Sequence, residues 1–265
     1  MEKRDALFTK LQNKLIMKRI SLLLCLCLAI LGAAMVSGCS KDESTSGAPV
    51  GKGGSLARFT IAQNHLYVVD GRDLHTFSLA DPQNPVKVHT TGIGMDIETI
   101  YTWKDKLFIG SQEAMFIYSI ANPAEPKALG QASHVRACDP VVANDTVAYV
   151  TVRTGSNCGG DVNALLVYNL NYIMQPTLMN TIAIDNPHGL GLQGNTLFVC
   201  DGTYGLRVYD VADAYFPTQI KRISGEKFYD CIPNGNILIC MIEGGMALFD
   251  ITDRNNISLL SKITD

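Results

Sequence analysis

The feature that most constrains this chain is a unit of about 41 residues that recurs five times after residue 55. Aligned on one aromatic position, the copies carry Phe77, Tyr118, Tyr168, Tyr209 and Phe249, separated by 41, 50, 41 and 40 residues. An aliphatic residue follows two positions later: Leu79, Ile120, Leu170, Val211 and Ile251. Four positions after the aromatic stand Asp81, Asn122, Tyr172, Asp213 and Asp253, and eight positions after it Pro85, Pro126, Pro176, Pro217 and Ile257. Upstream of each aromatic lies a second apolar run: LYVVD from Leu66, LFIGS from Leu107, VAYVT from Val147, LFVCD from Leu197 and ILICM from Ile237.

Both runs are strand-length, rich in β-branched and aromatic residues, and bounded by Gly, Asn and Asp. Side chains two apart on a strand share a face, so each copy carries a packing stripe. A Pro after Asp or Asn marks a turn into an outer strand, where a missing N–H is tolerated. Four short strands of this kind bury their faces only against neighbouring copies. The expectation is an all-β chain, a five-bladed β-propeller over residues 55–265, because five copies in about 210 residues leave no room for a sixth. An open stack of β-sheets is the alternative. In blade 1 the strands are expected at 58–62, 66–70, 74–79 and 85–90.

The pattern, clearest in LRVYDVADAYFP from Leu206, resembles the LVIVD-repeat family of secreted bacterial β-propeller lipoproteins. The resemblance spans 55–265, although the third copy lacks the Asp column (Tyr172) and the fifth lacks the Pro. It implies the fold and an extracytoplasmic setting, and carries no assigned chemistry.

Ahead of the repeats, a basic segment leads into the apolar run Ile20–Val36 and then Val36-Ser37-Gly38-Cys39. This reads as a lipoprotein signal peptide, 1–38, with Cys39 as the lipidated N-terminus of the mature chain. Met17-Lys18-Arg19 would serve equally as a signal start. Residues 39–54, rich in Ser, Gly and Pro, read as a flexible linker. Lys41-Asp42-Glu43 resembles an acidic tag for surface display, so the expected address is the outer membrane, facing outward, with the periplasmic side as the alternative. Loss of 1–38 removes six of 22 basic and two of 25 acidic residues and leaves a net charge of −7, which argues against nucleic acid as a partner. The expected partners are the membrane, through the lipid, and a protein or glycan ligand.

Of the cysteines, Cys138 and Cys158 are expected on one face of blade 3 and form the disulfide candidate. Cys200 and Cys240 occupy the column of Val69 and read as small buried hydrophobes. Cys231 could pair with either, and no zinc-type spacing occurs.

Gly189, Gly191 and Gly194 spell the dinucleotide fingerprint, but a strand and not a helix follows, so no pyrophosphate site is expected. One residue per copy, Arg58, Glu98, Asp139, His188 and Asp230, falls where the inner strand begins, and in a propeller these five ring one mouth of the channel. Carboxylates and an imidazole there are candidate ligands for a divalent cation or a polar molecule. Equally, each carboxylate can cap backbone N–H groups of the loops between blades. The longer blade 3 loop, 153–163, is expected on the same face, which makes that face the candidate binding surface. Trp103, the single tryptophan, ends an inner strand, with a core role or a sugar-stacking role open to it. No hydrolase or nucleotide motif occurs. The expected function is a non-catalytic binding or scaffolding module. The alternative is a metal-assisted hydrolase or lyase built on the ring.

Overall fold

A computed structural model describes residues 53–133, 140–154 and 162–264. The signal segment, Cys39, the linker as far as Lys52, Cys138, Asp139, Cys158 and most of the blade 3 loop lie outside the described residues.

Twenty strands form five antiparallel four-stranded sheets, with no helix among the described residues: a five-bladed β-propeller. Blade 1 comprises β1 (Phe59–Ala62), β2 (His65–Val69), β3 (Asp73–Ser78) and β4 (Val86–Gly92). Blade 2 comprises β5 (Ile97–Trp103), β6 (Lys106–Ser111), β7 (Ala114–Ser119) and β8 (Lys127–Ser133). Blade 3 comprises β9 (Val141–Ala143), β10 (Val147–Val152), β11 (Ala164–Asn169) and β12 (Thr177–Ala183). Blade 4 comprises β13 (Leu190–Gln193), β14 (Thr196–Cys200), β15 (Leu206–Asp210) and β16 (Thr218–Ile223). Blade 5 comprises β17 (Phe228–Asn234), β18 (Ile237–Ile242), β19 (Gly245–Asp250) and β20 (Ser258–Thr264). The strands of blade 1 start or end one or two residues from their expected bounds, the usual latitude at tight turns.

The repeated columns have physical jobs. In every blade the register of the third and fourth strands shifts immediately before the aromatic, at Phe77, Tyr118, Tyr168, Tyr209 and Phe249. A bulge there adds twist to the strand at the aromatic position. The Asp column caps the next turn: Asp81 accepts from Gln83 N at 3.0 Å, Asp213 from Tyr215 N at 3.2 Å and Asp253 from Asn255 N at 2.9 Å. Tyr172 has no carboxylate for this, and its turn closes through the backbone alone, Gln175 N to Tyr172 O at 3.0 Å.

Apolar side chains gather between blades. Ile97, Ile100 and Leu107 pack on Tyr67 and Leu74 of blade 1, and Phe108 and Ile117 pack on Val141 and Val150 of blade 3. Tyr149 and Val167 meet Leu190 and Val199 of blade 4, and Phe198 and Val208 meet Leu238 and Phe249 of blade 5. Among the described residues no such cluster lies between blade 5 and blade 1. Instead Phe59 and Met241 remain 58% and 55% exposed. A polar tie spans that junction: Ser55, 1% exposed, donates from Oγ to Asp230 Oδ1 at 3.1 Å and accepts from Leu190 N at 2.7 Å.

Candidate functional site

The two ends of the channel differ in what they expose. At the end where the inner strands begin lie the expected ring residues: Arg58 just before β1, Glu98 in β5, His188 just before β13 and Asp230 in β17. Arg58 is exposed and the other three are half-buried.

Asp230 takes the capping role. Its carboxylate accepts from Ser55 Oγ, from Leu56 N at 3.4 Å and from Cys231 N at 2.9 Å. Burial nevertheless lifts its pKa to about 6, the hydrogen bonds only partly compensating. Gly54 and Gly189 wrap it so closely that a Cβ on either would sit 2.0 or 2.1 Å from a carboxylate oxygen. The glycine triplet thus serves packing: Gly189 and Gly191 let β13 approach β17, where a Cβ on Gly191 would meet Pro233 Cδ at 2.6 Å, and Gly194 turns into β14 at φ 53°.

His188 is held near a second cation that sequence reasoning missed. Burial, and then the charge of Arg153, pushes its pKa down to about 4, so it is neutral at pH 7. Arg153 in turn is drawn by Glu98, which accepts from Gln112 Nε2 at 3.2 Å. His188 also meets the Tyr229 ring edge-on at 5.3 Å, and its backbone is fixed by Thr151 Oγ1 to His188 O at 2.6 Å. The preceding loop hangs on buried Asp201, which accepts from Asn186 N at 2.7 Å and from Arg207 Nε at 2.6 Å. An arginine facing the imidazole and the carboxylate opposes a divalent cation at this mouth.

Among the described residues, one set of three metal-competent side chains brings its ligand atoms within 4.8 Å, and it is Asp70, Asp73 and His75 in blade 1, none of them a ring position, although Val69 N bonds Arg58 O and Ile97 N bonds Gly71 O beside it. There His75 Nε2 meets Asp70 Oδ2 at 2.7 Å, and this bond, with backbone donors from Asp73 and Arg72, lowers the Asp70 pKa to about 2.

The other end of the channel carries the larger feature. A cavity of 710 Å³ is lined by the inner strands and their hairpin turns. Its inner wall is apolar, with half-buried Tyr101, Trp103, Leu192 and Ile232, and its rim is polar, with Lys104, Asn144, Asp145, Gln193 and Asn195. Left-handed residues shape these turns, Lys104 at φ 53° and Gly194 at φ 53°. Trp103 stands on this wall. Its Nε1 donates to Asp145 Oδ1 at 2.9 Å, Lys104 Nζ reaches Asp145 Oδ2 at 2.5 Å, and the same ammonium lies 5.7 Å from the indole centroid. Trp103 therefore combines a blade 2 to blade 3 tie with a place on the cavity wall. The volume is that of a small-molecule or oligomer-end site, and an apolar floor with a few polar groups at the rim is the usual composition of one.

Cys200, Cys231 and Cys240 are free thiols buried between blades 4 and 5. Burial pushes Cys200 up to about 11 and Cys240 higher still, as expected of unreactive packing residues.

No family model matches the sequence, and no curated protein does. Solved structures do. A functionally unknown protein from Desulfotomaculum acetoxidans matches at 14% identity and TM-score 0.58, over 76% of this chain and 66% of that one. The chain has the propeller fold of its structural neighbours. Others are AztD of Citrobacter koseri (12% identity, TM-score 0.56, 77% and 61% covered) and the periplasmic gluconolactonase PpgL of Pseudomonas aeruginosa (11%, 0.57, 76% and 67%). The chain thus spans 61% to 67% of the length of these three. At such identities the likeness concerns the fold alone.

Proposed function

We propose that this protein is an outer-membrane lipoprotein of the LVIVD-repeat type, anchored through Cys39 and facing outward, whose propeller is a non-catalytic binding module for a glycan. The observation that carries this reading is the 710 Å³ cavity, with the single tryptophan on its wall and amide side chains at its rim. An indole face and amide groups are what a sugar ring with its hydroxyls requires. The ring end offers less to a substrate: Asp230 is filled by three donors, and the charge of Arg153 is felt by both Glu98 and His188. That distribution weighs against the metal-assisted hydrolase, and the likeness to the gluconolactonase named among the neighbours concerns the fold alone.

Trp103 provides its own assay. The full chain is titrated with neutral trisaccharides of glucose, mannose and N-acetylglucosamine while tryptophan emission is followed. A saturable shift with one of them, weakened about tenfold or more by Asn195→Ala, is the expected result. Absence of any shift at millimolar sugar, or binding that by calorimetry survives Trp103→Ala and disappears in Glu98→Gln, would overturn the reading.

A further inference from the structure

Blade 3 departs from the repeat at Tyr172, where the other four copies have Asp or Asn, and the departure leaves apolar side chains in solvent: Tyr172 and Met174 are each 62% exposed and Leu178 51%. The turn that carries the first two is fixed. Ile173 between them packs on the core shared by blades 2 and 3, and the turn lies so close to β8 that a Cβ on Gly130 would sit 2.2 Å from Ile173 O. β8 is the outermost strand of blade 2, paired among the described residues with β7 alone, so its other edge presents unmatched backbone groups. A cavity flanks this strand on each side. Towards blade 3, one of 550 Å³ lies between Gln131–Ser133 and the side chains of Tyr172, Met174 and Leu178. Towards blade 1, one of 290 Å³ lies against Leu129, Phe116 and Ile93, the last two packed on the cluster between blades 1 and 2. Gln131 and Met174 line both, and no charged side chain lines either.

From this arrangement we infer that blade 2 takes a fifth strand from a partner protein: an extended, uncharged peptide segment adds along the free edge of β8 and seats two adjacent side chains, one in each cavity. Strand addition uses the backbone groups that β8 leaves unmatched, and the pockets then select the side chains. Successive residues of a strand point to opposite faces, so neighbours in the peptide reach the two sides of β8. A sugar chain lying on one face does not. Cavities without a charge exclude an ionised side chain, whose desolvation nothing there would offset. The larger one, walled by Tyr172, takes an aromatic ring, and the smaller an aliphatic chain. Met174, unbranched and exposed between them, adjusts to what enters. This surface is separate from the channel cavity and does not depend on what that cavity binds.

Fluorescence anisotropy on the full chain tests this with labelled, capped octapeptides of Ser and Thr that carry every pairing of Phe, Tyr, Leu and Val at two adjacent central positions. At least one should bind saturably and slow hydrogen exchange of the β8 amides at least about tenfold, while those of β16 stay unchanged. Tyr172→Asp, which restores the residue type of the repeat and so spares the fold, should weaken binding about tenfold or more. Proline at both positions flanking the central pair of the peptide should do the same, because it removes an N–H that pairing needs. No binding at millimolar peptide overturns the proposal, as does binding indifferent to Tyr172→Asp or to those prolines. Protection of β8 by a neutral trisaccharide and by no peptide would overturn it too, and would make the groove a glycan surface. These readouts do not use Trp103 emission, so failure here is separable from failure of the glycan reading.

Discussion

The junction between blades 3 and 4 and the junction between blades 5 and 1 join the same repeat to itself, yet they are built differently. The first is dry, with Tyr149, Val167, Leu190 and Val199 fully enclosed and the Tyr149 hydroxyl donating to Ala214 O at 2.8 Å. The second is held among the described residues by a serine, a carboxylate and a backbone amide. A repeat fixes how each blade contacts the next one in sequence. It does not fix how the last contacts the first, and here a residue upstream of the first blade performs that task.

The contrast is broken most severely from the dry side. Tyr149→Ala should lower stability by about 3 to 5 kcal/mol, whereas Phe59→Ala at the other junction should change it by no more than about 0.5 kcal/mol, both read from urea unfolding. Comparable losses would erase the distinction. On the polar side, Ser55→Ala strips a donor from a buried carboxylate and a partner from Leu190 N, and should cost about 1 to 3 kcal/mol. Gly54→Ala should do at least as much damage, since its Cβ would collide with Asp230 Oδ2 at 2.0 Å.

The blades, and the absence of a pyrophosphate site at the glycine triplet, were legible in the sequence because periodicity and turn residues act locally. Four of the five ring positions, Arg58, Glu98, His188 and Asp230, also lie where the repeat put them, at the starts of inner strands, while Asp139 is outside the described residues. What they do there was not legible. The charge of Arg153 acts on Glu98 and His188 from a different blade, and Trp103 reaches Asp145 across 42 residues, with no spacing rule to announce either. Ser55 was hidden for a related reason: it lies before the first repeat, so the alignment that exposed everything else assigned it to a linker.

A subtler prediction separates Asp230 from His188 by pH. Asp230, raised to about 6 from 3.8, contributes stability in full below pH 3.8 that is lost as pH rises through 6. His188, lowered to about 4 from 6.5, contributes stability above pH 6.5 that is lost as pH falls through 4. The two trends oppose each other, each worth roughly 1 to 3 kcal/mol after solvent screening. Relative to the native protein, His188→Gln should therefore gain stability between pH 6.5 and 4.5. A parallel pH profile for the two proteins would show that His188 is not held neutral by burial and Arg153.

The most direct test of the central claim, that the open cavity and not the ring end is the ligand face, is calorimetry on one variant from each end. With whichever trisaccharide shifts Trp103, Asn144→Ala/Asn195→Ala at the cavity rim should weaken binding at least about tenfold, while Glu98→Gln/Arg153→Gln at the ring should leave the dissociation constant within about twofold. The reverse pattern would contradict the account and return the ligand to the ring.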